Sequence, residues 1–276
     1  MIEIGRYNEL PVLSLSGGRV LLGTQEAHLP LLEREVQLGL ELGQVIRVFV
    51  YTTADQGPVA TLLEPLATIG DFAYLRVVDV NEYGAFLDWG LPKDLLVPFG
   101  NQYTPMKVGR KYVVGVRLHH RTQRVVGASV LAGMFDDDVS HLEAGDEVEL
   151  MVYGHNDRGT QVIVNQRHAG LVYHDQAYRK LHHGDELPGW VATIRGDHRL
   201  DITLQPPGRG GVDLACAKIL EALDAAGGQL PLHDRSPPEE IARALNMSKK
   251  VFKKAVGRLY KNRLIVLMDG GIRRPG

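Results

Sequence analysis

From Phe72 to Val80 the chain reads FAYLRVVDV, a run of β-branched and aromatic residues that predicts a strand. It follows directly on Gly70-Asp71, a natural turn. Asn81-Glu82-Tyr83-Gly84 reads as a second turn, and Ala85–Trp89 as a strand closed by Gly90. Leu95–Val97 is a short strand ending at Pro98, which has no N–H for an interior ladder. Lys111–Leu118 and Val125–Val130 are the last two strands, joined by the polar turn His119–Arg124. Five strands in about 65 residues predict a small closed Greek-key barrel.

The pattern recurs. Glycines fall at Gly70, Gly84 and Gly109, with Arg124 following, and again at Gly145, Gly159 and Gly184, with Arg199 following. The spacings of 14, 25 and 15 residues are the same in both copies. Near the N-terminus Gly18, Gly43 and Pro58 repeat the last two spacings. Units of about 65–75 residues are too long for solenoid repeats and have the size of small domains. The first copy is the most divergent, and its hairpin, Gly17–Leu22, carries no aromatic residue.

Beyond residue 211 the period changes from two to 3.6. Val212–Ala226 is an amphipathic helical stretch stopped by Gly227-Gly228. Leu230–Leu232 reads as a short strand. Ser236-Pro237-Pro238-Glu239 predicts a capping box opening a second helix. Asn246-Met247-Ser248 is a turn, with Ser248 capping a third helix to about Asn262. Ile265–Met268, Gly270-Gly271 and Ile272–Arg274 then read as a β-ribbon, so the segment predicts a winged helix. At 100° per residue the third helix separates Val251, Phe252, Ala255, Val256 and Leu259 from an opposite arc of Lys249, Lys250, Lys253, Lys254, Arg258 and Lys261.

The formal net charge of −2 hides an asymmetry. Residues 212–276 hold 12 Lys and Arg against 7 Asp and Glu, whereas residues 1–211 hold 19 against 26. Basic charge is thus concentrated at the C-terminal end, which points to a polyanionic partner. No apolar run reaches membrane-spanning length, Met1–Asn8 lacks a signal pattern, and the lone Cys216 suits a reducing cytosol. Catalysis is poorly supported. Adjacent histidines such as His119-His120 and His182-His183 point apart on a strand, and Asp136-Asp137-Asp138 reads as a linker rather than a metal site. No phosphate-binding Gly-Lys-Ser/Thr loop or Gly-x-Ser-x-Gly elbow occurs.

Gly-Asp, a strand, Tyr83-Gly84-Ala85-Phe86-Leu87-Asp88, a Leu-Leu-Val and a Lys-Val-Gly resemble the S1 RNA-binding domain. Gly145-Asp146, Gly170–Tyr173, Gly184-Asp185 and Leu200–Leu204 resemble it too. With the C-terminal Met247–Tyr260 (MSKKVFKKAVGRLY), nearly the full chain resembles the conserved virulence factor B family, RNA-binding regulators with three S1 domains and a winged helix. The resemblance implies that Tyr83 and Phe86 stack bases and that Arg124 and Arg199 contact the strand. The bland alternatives are that Phe86 is partly core and that the arginines and lysines are solvated surface. A histidine common in S1 domains is replaced here by Pro98 and by Tyr173, and Arg158 and Gln161 stand where the second unit has Tyr83 and Phe86.

The expectation is a mainly β multidomain protein of three five-stranded OB/S1-like barrels (1–63, 64–134, 138–208) and an α+β winged-helix domain (212–276). Its expected function is cytoplasmic, non-catalytic regulation through single-stranded RNA, either mRNA or ribosome-associated RNA. No cofactor, metal or membrane is expected. RNA-binding residues would be Tyr83, Phe86, Arg124, Tyr173 and Arg199, with the basic arc of the third helix as anchor. A DNA-binding transcription regulator and a protein-interaction scaffold are the alternatives.

Overall fold

The computed structural model describes the chain apart from residues 1, 17–18, 33–38, 54–56, 175, 178, 207 and 276. Gly17 and Gly18 of the expected N-terminal hairpin therefore lie outside the described residues. The chain divides into two compact units, Met1–Phe135 and Asp136–Gly276.

The first unit holds two five-stranded sheets. Strands β1 (Tyr7–Ser16), β2 (Arg19–Gly23), β3 (His28–Pro30), β4 (Val45–Thr53) and β5 (Gly57–Thr61) run in the order β3-β2-β1-β4-β5. A parallel bridge from Leu31 to Ala60 draws the two edges of this sheet together around Val12, Val20, Leu22, Leu29, Val48 and Val50. Strands β6 (Phe72–Asn81), β7 (Gly84–Asp88), β8 (Leu95–Pro98), β9 (Lys111–His119) and β10 (Arg124–Ala128) form the second sheet, in the order β10-β9-β6-β7-β8. Its edges meet where Gly127 packs against Leu95 and Val97.

These two sheets are not beads on a string. In β4 the consecutive residues Val48, Phe49, Val50 and Tyr51 are all buried, because both faces of the strand are covered. Val48 and Val50 fill the first sheet's own core. Phe49 and Tyr51 point the other way and share a core with Leu75, Leu87, Trp89 and Leu95 of the second sheet. Trp89 meets Phe49 edge-on at 5.8 Å and Tyr51 at 6.2 Å. Polar contacts follow the same seam: Lys93 Nζ donates to Thr52 O at 3.0 Å, and Thr52 Oγ1 to Gln123 O at 3.1 Å.

In the second unit, β11 (Glu147–Asn156), β12 (Gly159–Val164), β13 (His168–Tyr173), β14 (Glu186–Ile194) and β15 (Leu200–Thr203) make a closed barrel, ordered β11-β12-β13-β15-β14. The recurrent Gly84 and Gly159 now have a common cause. A Cβ at either would collide with a strand carbonyl opposite, Val97 O or Val172 O. The Asp136–Asp138 segment is tied to this barrel rather than extended between domains. Asp136 accepts two hydrogen-bonded approaches from Arg167, and His168 and His198 contact the carbonyls of Asp136 and Asp137.

The chain ends in α1 (Gly208–Ala225), β16 (Gln229–Leu230), α2 (Pro238–Leu245), α3 (Lys249–Lys261), β17 (Val266–Met268) and β18 (Gly271–Arg273). The three strands form one small sheet, β16-β18-β17, beside the helices. Ile219, Leu223, Ile241, Phe252 and Leu259 lie at its core with Ile272 of the ribbon. The expected capping box is absent. The α2 helix begins one residue later than the sequence suggests, so Pro237 sits at the cap with no side-chain bond. Ser236 is buried and its Oγ instead accepts the His233 N–H at 3.1 Å, closing the preceding turn. The whole is mainly β, with barrel-like sheets and a C-terminal winged helix. Among the described residues, no helix is long and apolar enough to cross a membrane.

Candidate nucleic-acid interface

The β6–β7 turn is locked by its own first residue. Asn81 Oδ1 accepts the Tyr83 N–H at 2.9 Å, a side chain standing in for a backbone turn contact. This holds the Tyr83 ring out at 65 % exposure. Phe86 lies three residues on, half-buried and facing outward between the fully buried Ala85 and Leu87. Its strand neighbours are Asp79 and Leu96.

The surroundings of Phe86 are acidic. Asp79 stands opposite it, Asp88 follows two residues along the strand, and Asp94 precedes β8. The Asp94 carboxyl is raised above the ordinary carboxylate value, first by burial and then by the charges of Asp88 and Asp79. Arg124 opens β10, exposed and opposite His119. Since Gly127 reaches Leu95 and Val97, Arg124 lies toward the Asp94 end of β8, whereas Tyr83 flanks the Gly84–Pro98 pair at the other end. The strand geometry does not bring Arg124 to Tyr83.

The third barrel repeats the frame with different chemistry. Asn156 Oδ1 accepts from Arg158 N at 2.9 Å and Gly159 N at 3.1 Å, the same locked turn. Gln161 donates its amide to Tyr153 Oη at 3.4 Å, and Tyr173 is half-buried opposite Gly159. Arg199 is exposed and 4.0 Å from Asp197. Leu200 pairs with Gly170, so Arg199 sits about four strand positions from Tyr173.

Tyr153 is the residue that repeat reasoning missed. It occupies a bulge between Val152 and Gly154, and β6 carries a bulge at the equivalent place, between Val77 and Asp79. There the second sheet presents Val78. The two barrels thus differ in where the aromatic falls: one has it at the strand position (Phe86), the other at the bulge (Tyr153). Burial pushes the Tyr153 phenol up, and the Arg199 charge opposes this in part. The signal available in sequence was Tyr153 falling 75 residues after Val78, in register with the glycines.

On α3, Ser248 caps the helix by accepting the Val251 N–H at 3.3 Å. Phe252, Ala255, Val256 and Leu259 are buried, while Lys250, Lys253, Lys254 and Lys261 are exposed and Lys249 is half-buried. Arg258 is set apart from the lysines. Its Nη2 lies 2.7 Å from Asp213 of α1, so this cation already has a counter-charge. The opposite end of α1 is held likewise, with Arg274 donating twice to Asp224, at 2.8 and 2.6 Å. That pairing holds the Asp224 carboxyl below its ordinary range.

Comparison with known proteins places these features. Residues 217–273 match the CvfB-like winged helix domain, and residues 4–63 match the S1 domain. The S1 match falls on the first sheet, the copy whose own sequence looks most divergent. Conserved virulence factor B of Staphylococcus epidermidis is 25 % identical over 280 residues, covering 98 % of this chain and 94 % of that protein. The Staphylococcus aureus protein of the same name is 25 % identical over 283 residues, covering 98 % and 93 %. Protein YitL of Bacillus subtilis is 25 % identical over 234 residues, covering 82 % and 78 %. A crystal structure of a multidomain protein with nucleic acid binding domains from Streptococcus pneumoniae aligns over 99 % of this chain and 98 % of that one, with 24 % identity and a TM-score of 0.44. With an S1 domain at its N-terminal end, a CvfB-like winged helix at its C-terminal end and similarity along almost its whole length, the chain is a homologue of the conserved virulence factor B proteins.

Proposed function

We propose that this protein is a non-catalytic, cytoplasmic RNA-binding regulator that holds single-stranded RNA through its S1-like barrels and anchors it with α3. The observation that carries the reading is Tyr83. An aromatic ring 65 % exposed on a turn pinned by Asn81 adds nothing to the core and presents a ready stacking face. The exposed lysines of α3, Lys250, Lys253, Lys254 and Lys261, supply phosphate neutralisation without a role in packing. Two weak sites on one chain raise avidity without new contacts. The RNA would be mRNA or ribosome-associated RNA.

A second reading, a DNA-binding transcription regulator, is favoured by one observation: α3 is the third helix of a winged helix and turns its lysines outward, as a groove-reading helix does. Fluorescence anisotropy with a labelled 15-nucleotide oligouridylate and a DNA duplex of equal length separates the two. Tighter binding to the single-stranded RNA is expected. Equal or tighter binding to the duplex would transfer the function to the second reading, and binding to neither would leave the scaffold reading.

A further inference from the structure

From Leu95 to Phe135 the chain contains Lys107, Arg110, Lys111, Arg117, Arg121 and Arg124 and not one Asp or Glu. This is the reverse of residues 1–211 as a whole, where acids predominate. The segment forms β8, β9, β10 and the loop between β8 and β9. Within that loop stand two of the most exposed aromatic rings of the first unit, Phe99 at 51 % and Tyr103 at 81 %.

Backbone and side-chain bonds gather Phe99, Tyr103 and Arg117 on one side of the second sheet. Gly84 pairs with Pro98, so Tyr83 and Phe99 flank the same strand pair, one on each chain segment. A short 3-10 turn, Phe99–Asn101, follows, and Asn101 O accepts the N–H groups of Ser129 and Val130. Ser129 Oγ in turn accepts the Tyr103 N–H at 2.9 Å. Arg117 Nη2 donates to Asn101 Oδ1 at 2.7 Å, which holds a guanidinium within this turn. The loop is therefore a braced platform, tied at Ser129, Val130 and Arg117. The carboxylates of Asp79, Asp88 and Asp94 lie on the other flank, around Phe86 and toward the opposite end of β8.

We infer that Phe99, Tyr103 and Arg117 form a second stacking site for single-stranded RNA, continuous with Tyr83. The strand then leaves the Tyr83 turn across the acid-free loop rather than along the acidic flank. Exposed aromatic faces accept unpaired bases in sequence-tolerant fashion, and the arginine neutralises a phosphate between them. Like-charge repulsion closes the alternative route past Asp79, Asp88 and Asp94. The inference rests on the RNA reading and extends its site beyond the positions that the S1 resemblance implies.

The test uses the full chain and fluorescein-labelled U15 RNA. Phe99→Ala with Tyr103→Ala should weaken the Kd by a factor of about 5 to 150 per lost stack, while thermal melting stays close to that of the parent. Arg117→Gln should flatten the slope of log affinity against log salt by roughly 0.7. Unaltered affinity in the double variant, alongside a loss in Tyr83→Ala with Phe86→Ala, would overturn this site and leave the RNA reading intact. Failure of the parent protein to bind U15 would instead remove the reading, and this site with it. Should the double variant melt early, Tyr103→Ala alone is judged by the same criterion.

Discussion

Phe49 of the first sheet stands edge-on to Trp89 of the second, ring centroids 5.8 Å apart and planes at 79°. Such a contact is worth about 0.5–1.5 kcal/mol beyond the area it buries. Here it welds two barrels that share one core. The outer face of the first barrel is consumed by this joint, with Tyr7, Phe49 and Tyr51 all turned toward the seam. These three rings are thus engaged in packing between the two sheets.

Trp89→Ala tests the joint. Trp89 is 2 % exposed and its indole N–H donates to Lys93 O at 2.6 Å, so truncation leaves a cavity and removes that bond. Unfolding in urea should show a loss of about 3–5 kcal/mol. A loss below about 1 kcal/mol would mean that the two sheets are stable independently of the seam.

Tyr83→Ala with Phe86→Ala should weaken U15 binding by about 1–3 kcal/mol, the loss of the Tyr83 stack, with the salt slope nearly unchanged. The single variants separate stacking from packing. Tyr83→Ala should leave the melting temperature in place, since the ring is exposed, whereas Phe86→Ala should lower it modestly, since that ring is half-buried. Normal RNA binding by a folded double variant would rule out this hairpin as the platform.

Replacing Lys249, Lys250, Lys253 and Lys254 with Gln should alter stability by no more than about 0.5 kcal/mol per site. Each lost phosphate contact should flatten the salt slope by roughly 0.7. Arg258 is left in place because it serves Asp213. An unchanged slope, measured by anisotropy across a salt series, would mean that α3 does not touch nucleic acid and docks protein instead.

Asp94 gives a prediction in pH. Its folded-state pKa is raised by burial and by Asp88 and Asp79, so the folded protein binds its proton more tightly than the unfolded chain does. Stability from this group is therefore greatest below the ordinary carboxylate pKa and falls as pH rises through the raised value. Asp94→Asn should accordingly raise the melting temperature at neutral pH, and the advantage should shrink as pH falls through the raised value toward about 4. A variant that melts lower than the parent at neutral pH would show that the Asp94 charge is favourable where it stands.

Much of the architecture was legible in the residues, and for local reasons. The turn before Gly84, the strand beyond it and the cap at Ser248 are decided within a few residues, by φ/ψ limits, side-chain alternation and one hydroxyl placed to meet Val251 N. The recurrence of Gly84 at Gly159 signalled a repeated backbone constraint, and the constraint is a carbonyl opposite each. The capping box at Ser236 was misread because a Ser before two prolines suits either a cap or a turn. Only the neighbouring His233 N–H, brought close by the fold, selects the turn.

What tertiary structure alone decided is which faces remain for a ligand. The run Val48–Tyr51 announces a strand, but its burial on both sides depends on Trp89, 38 residues beyond Tyr51. The lysines and Arg258 share one arc of α3 on a helical wheel, yet Asp213 withdraws Arg258 and leaves the lysines outward. Phe86 and Tyr83 look alike as candidates, and only the pairing of β6 with β7 sets Asp79 against the first while the turn holds the second clear. Periodicity reports which side of an element is apolar; what packs against that side is set by contacts between residues distant in sequence.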